Sequence, residues 1–134
     1  MVLLLLQPQI DYLSLFCQAL IGFWILDSVC LSCLNCEGNQ LRSLPPEIGE
    51  LRALTKLNLA FNMLESAAAE LGQLSSLITL NLSHNKLVGL FSQIGGLRSL
   101  SDLNLSHNQL ETLPDSMADI KVSPPLSHFL KEIN

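Results

Sequence analysis

The chain has 134 residues, 49% of them apolar, which suffices for one domain with a real core and leaves no room for a second folded unit. Its 12 acids and 7 bases give a formal charge of −5 without any charged run, and only 5% of the residues are aromatic. Neither a phosphate-tracking surface nor a base-stacking one is expected, so nucleic acid is set aside as a partner.

Residues 1–30 form an apolar segment of their own. The first Lys or Arg is Arg42, and Tyr12 to Leu26 is a mostly apolar run closed off by Asp11 and Asp27. A transmembrane helix needs about 20 apolar residues, so the run is short, and no basic flank sets an orientation. A secretory signal wants a basic n-region, which is missing, although Ser28 and Cys30 offer a weak cleavage site. Three readings stay open: a helix folded over the open end of the domain that begins at Leu31, which is preferred, a signal, or a membrane anchor.

From Leu31 to Ile120 the sequence repeats every 23 residues, in four units. Leu54, Leu57, Leu59, Asn62 and Leu64 fill the template LxxLxLxxNxL. Leu77, Leu80, Leu82, Asn85 and Leu87 fill it again, and Leu100, Leu103, Leu105, Asn108 and Leu110 a third time. The first unit reads Leu31, Leu34, Cys36, Asn39 and Leu41, with Cys36 as a core thiol. Alternation with period two sends Leu57 and Leu59 inward and Lys56 and Asn58 outward, as in a short strand buried on one face. Strands repeated at a fixed period stack in parallel, with return segments crossing behind them. The fold class is therefore α/β, a short solenoid with its strands on the concave face.

Asn39, Asn62, Asn85 and Asn108 mark the points where the chain leaves each strand. An amide side chain offers both a donor and an acceptor to the backbone groups stranded there, so these four are expected to form a buried ladder with no ligand role. The return segments carry Leu44-Pro45 and Leu113-Pro114 with nearby glycines, which predicts extended chain or short 3₁₀ turns. Glu65 to Leu71 departs from this, since its three alanines favour a helical turn. Leu90-Phe91 puts a bulky apolar residue near the convex surface.

Residues 121–134 lose the register. A fifth unit would need Leu at 123, 126 and 128, Asn at 131 and Leu at 133, where the chain has Ser123, Leu126, His128, Lys131 and Ile133. Pro124-Pro125 bar a regular strand, so this stretch reads as a degenerate cap or tail. The loss of register at both ends also fits a fragment or altered product of a longer repeat protein.

The repeated residues, together with Ile48, Gly49 and Leu51 after Leu44-Pro45 and their equivalents in later units, resemble the leucine-rich repeat family. Within it they resemble the LPxxIGxL class of intracellular scaffold proteins. The resemblance covers about 90 residues and implies a leucine-rich repeat horseshoe that binds another protein on its concave face. It also implies a cytoplasmic scaffold or adaptor in signalling. The alternative is a secreted or membrane-anchored recognition domain, with Tyr12 to Leu26 as its signal or anchor.

Nothing in the residues points to catalysis, a cofactor or a metal. Cys30-x-x-Cys33-x-x-Cys36 supplies one cluster where a zinc site usually wants two pairs, and the repeat sends Cys33 and Cys36 to opposite faces. His84 and His107 recur in matching Ser-His-Asn triplets without an accompanying carboxylate, and read as solvent-facing residues of a repeated turn about 4.8 Å apart. Gly95-Gly96 lacks the Lys-Ser or Lys-Thr of a phosphate loop. The candidate partner-binding residues are the outward ones of the strands and their exits: Lys56, Asn58, Phe61, Asn81, His84, Asp102 and Asn104. Asn81-Leu82-Ser83 and Asn104-Leu105-Ser106 also match the N-glycosylation acceptor pattern, a consequence reserved for a secreted chain.

Overall fold

The computed structural model describes residues 31–121 and the backbone of one further strand, Leu3–Leu5. Tyr12 to Leu26 and the tail beyond Lys121 lie outside the described residues, as do the expectations placed on them.

Five parallel strands form one sheet in chain order: β1 (Leu3–Leu5), β2 (Cys33–Asn35), β3 (Lys56–Asn58), β4 (Thr79–Asn81) and β5 (Asp102–Asn104). The last four are in the register of the repeat, with Leu34 opposite Leu57, Leu57 opposite Leu80 and Leu80 opposite Leu103. β1 is an element the repeat pattern did not foretell. It pairs with β2 through Leu3 and Cys33, 30 positions apart instead of 23. An extended apolar run at the chain's start thus covers an edge whose backbone groups would otherwise lack ladder partners.

In β2 to β5 the central leucine of the strand and the apolar residue two positions on face inward. Leu57, Leu59, Leu80 and Leu82 are fully buried, as is Cys36 in its Leu position. Behind the sheet run four 3₁₀ turns, Pro46–Glu50, Ala69–Gln73, Ser92–Gly96 and Asp115–Asp119, again spaced by 23. Each delivers one apolar side chain, Ile48, Leu71, Ile94 or Met117, to a continuous core between the two layers.

Two local expectations need correction. The alanines of the second unit do not start a helix early: Ala68 is extended at φ −62°, ψ 134°, like Pro45 at φ −70°, ψ 145°, and the turn begins at Ala69 as in every other unit. Packing of the stacked turns overrides alanine's weak helix preference, worth less than about 1 kcal/mol per residue. Phe91, expected near the convex surface, is buried and joins the core, from an extended backbone at φ −67°, ψ 137° like that of Pro45 and Ala68 in the same position.

Candidate protein-binding face

The strand exits decide which groups the concave side offers. Asn85 is buried, and its Nδ2 donates to the carbonyl oxygens of Leu59, Leu82 and Ser83 at 3.0, 3.1 and 3.2 Å. Its Oδ1 accepts the Leu64 N–H at 3.0 Å. Asn62 and Asn108 repeat the pattern, each joining its own turn to the preceding unit. Asn39 donates to the Cys36 and Glu37 carbonyls. The expected ladder is present and engages these amides, buried at Asn62 and Asn85 and half-buried at its ends, Asn39 and Asn108.

The residue before each of these asparagines has a left-handed backbone: Gly38 at φ 70°, Phe61 at 55°, His84 at 53° and His107 at 55°. Glycine bears this freely, whereas a bulky side chain at such an angle costs roughly 1–2 kcal/mol. The conformation turns the three rings out of the core and into one column. Phe61 and His84 stack with centroids 4.1 Å apart at 10°, and His84 and His107 at 4.1 Å and 19°. Ring pairs of this kind contribute about 0.5–1.5 kcal/mol each. The column is nonetheless open, with Phe61 52% exposed. The matching triplets at His84 and His107 indicated the pair, but Phe61 joins it through a shared backbone angle that no composition signal announces.

The predicted face divides into two kinds of residue. Lys56 and Asp102 are exposed on β3 and β5 with Thr79 between them, so they flank β4 with opposite charges. Asn58, Asn81 and Asn104 carry a structural task that the sequence reading missed. The Oδ1 of each accepts the N–H two residues on, of Ala60, Ser83 and Ser106, at 3.1 Å in every case. Asn35 does the same for Glu37. A legible signal existed, namely an asparagine two residues before every turn, since such side chains close turns onto their own backbone. The Ser83 and Ser106 hydroxyls also donate to Asn81 and Asn104 Oδ1 at 2.8 Å. Ala60 and Ser83, which precede Phe61 and His84 in the chain, are buried.

What the face presents is therefore a rigid polar sheet edged by stacked rings. Its backbone is held repeat to repeat, for the Gly38, Phe61 and His84 N–H groups donate to the Ala60, Ser83 and Ser106 carbonyls of the next unit at 3.0, 3.1 and 2.9 Å. Residues 52–110 match the family model described as leucine rich repeat. The solenoid is built of leucine-rich repeats.

Solved structures with similar leucine-rich repeat shapes come from distant sources. A chain of the BIR3–SERK2 complex from Arabidopsis thaliana superposes with a TM-score of 0.58 at 31% identity, over 66% of this chain and 52% of that one. A chain of the Toll–Spatzle complex, described as a molecular hub in Drosophila development and innate immunity, gives 0.58 at 26% identity over 75% and 12%. An internalin from Listeria monocytogenes gives 0.54 at 30% identity over 69% and 27%. This chain thus spans about half or less of each of these proteins. No match to a curated protein is found.

Among the described residues, Cys33 is half-buried on the outer face and Cys36 is buried in the core, and no three His, Cys, Asp or Glu side chains converge. No helix among the described residues is long and apolar enough to cross a membrane.

Proposed function

We propose that this leucine-rich repeat unit is a non-catalytic protein-binding module of the scaffold or adaptor kind, whose ligand docks on the concave face along Lys56, Phe61, His84, Asp102 and Asn104. The observation that carries the reading is the exposed Phe61–His84–His107 column. Three side chains stand at a backbone angle that costs energy, turned away from the core, where glycine would serve the turn better. Aromatic groups set on a rigid sheet are the usual anchors of interfaces. The Toll–Spatzle and BIR3–SERK2 structures, of similar fold, are of complexes, which supports the same reading.

The Leu44-Pro45, Ile48 and Gly49 pattern supports membership in the LPxxIGxL class, and with it a cytoplasmic location. The decisive test is the double substitution Phe61→Ala, His84→Ala against Glu70→Ala in a return turn. The first should abolish partner capture with the thermal transition retained, and the second should leave both unchanged. An interface mapped by cross-linking to the 3₁₀ turns would overturn the concave assignment.

One observation favours the secreted alternative as a second reading. Asn104 is exposed and Asn81 half-buried on the concave side, each within an acceptor triplet. A glycan on either would stand on the docking surface.

A further inference from the structure

Among the described residues the ring column has one vacant step. Positions 38, 61, 84 and 107 are equivalent in the repeat, and the last three hold rings. Gly38 holds none, and a Cβ placed there would meet nothing within 4 Å among the described residues. Phe61 is stacked on His84 by one face, so its other face looks onto this step, and the ring is 52% exposed. A planar group seated over Gly38 would continue the column at its existing 4.1 Å spacing.

The charge beside the step selects among planar groups. Glu37, next to Gly38, is exposed and held in place from three directions. Its N–H donates to Asn35 Oδ1 at 3.1 Å, its carbonyl accepts from Asn39 Nδ2 at 3.2 Å, and its Oε2 accepts from Asn58 Nδ2 at 2.8 Å. The first two bonds hold the main chain and the third, from a neutral amide, holds the carboxylate, with Oε1 left for a ligand. A fixed acceptor loses little freedom when a ligand arrives. A planar cation satisfies both features at once, since it stacks on an aromatic face and donates to a carboxylate. Lysine's ammonium is not planar, and an aromatic ring would leave the carboxylate unanswered.

We propose that Gly38, Phe61 and Glu37 form a receiving site for an arginine side chain of a partner protein, its guanidinium stacked on Phe61 over Gly38 and paired with Glu37. The proposal rests on the concave-face reading above and specifies what the partner brings to it.

The test uses the full chain with labelled aromatic rings and three probes, the acetylated amides of arginine, citrulline and lysine, followed by nuclear magnetic resonance. Arginine amide shifts the Phe61 ring signals saturably and binds about tenfold more tightly than neutral citrulline or non-planar lysine. Glu37→Gln keeps an acceptor for Asn58 and removes the charge, which brings arginine down to the citrulline level. Gly38→Asn, tolerated at positive φ, fills the step and abolishes the response, while unchanged His84 signals report an intact column. Equal responses to arginine and citrulline, no saturable shift at Phe61, or indifference to Glu37→Gln would each overturn the site. If these fail while Phe61→Ala, His84→Ala still abolishes partner capture, the concave reading stands and the arginine site alone is lost.

Discussion

A carboxylate can replace one asparagine of this fold and not its neighbour four residues on. At Asn85→Asp, Oδ1 can still accept the Leu64 N–H, but Nδ2 becomes an oxygen facing the carbonyls of Leu59, Leu82 and Ser83 at 3.0, 3.1 and 3.2 Å. Those carbonyls are not orphaned, since they keep Asn62 Nδ2, Asn108 Nδ2 and the Phe61 N–H respectively. The cost therefore falls on the new oxygen, a buried acceptor without a donor. An unsatisfied buried group costs about 1–3 kcal/mol and more when charged, so a loss of about 3 kcal/mol or above is expected. That is a large share of the roughly 5–15 kcal/mol that holds a domain. At Asn81→Asp the half-buried Oδ1 goes on accepting the Ser83 N–H and hydroxyl, and the change should stay within about 0.5 kcal/mol. Urea unfolding of the two variants measures the contrast. Burial among carbonyls raises the folded pKa of the carboxyl introduced by Asn85→Asp above its unfolded value of about 3.9. The charge-dependent part of the variant's deficit is then absent below the unfolded value, grows as pH rises from there to the folded value and is constant above it. Equal losses for the two variants, or a deficit independent of pH, would refute the ladder geometry.

Leu80→Ala empties a fully buried site in the middle strand and should cost about 2–5 kcal/mol, read as a fall in the thermal midpoint. Gly72→Ala drives a methyl into the Gln93 backbone of the next turn and should lose about 1–3 kcal/mol, whereas at Gly89, where a Cβ meets nothing within 4 Å, alanine should be neutral in the same melt. Expression in secretory-competent cells should yield a chain whose mobility N-glycosidase leaves unchanged. A shift that disappears in the Asn81→Gln, Asn104→Gln variant would instead place the protein in the secretory pathway.

The repeat was legible because a solenoid asks the same question of the sequence every 23 residues, and Leu57, Leu80 and Leu103 give the same answer for the same reason, one buried face per strand. The asparagine ladder followed from counting stranded backbone groups. The outward positions were harder, because exposure leaves residue type nearly unconstrained; only the asparagine recurring before every turn separates Asn81, engaged by its own turn, from Lys56, exposed to solvent. Phe91 and Ala68 were misjudged by local preference, which the stacked turns outweigh. The Leu3–Leu5 strand lay beyond reach, since it pairs at a spacing the repeat does not use.

The glycines of the return layer bear on the curvature of the horseshoe. Bend in a solenoid comes from the difference between strand spacing on the inner side, about 4.8 Å, and the width of the elements behind, about 10 Å for an α-helix. Here the outer elements are thin 3₁₀ turns, and glycines let them close up further: Gly96 lies against the Gly72 backbone, and a Cβ on Gly49 would stand 2.7 Å from Glu70 O. Close packing of this kind draws the outer spacing towards the inner one and favours an arc of larger radius than helices would give. A partner laid across β2 to β5 would then meet a gently curved wall, to which an extended or gently rounded surface is better suited than a deeply convex one.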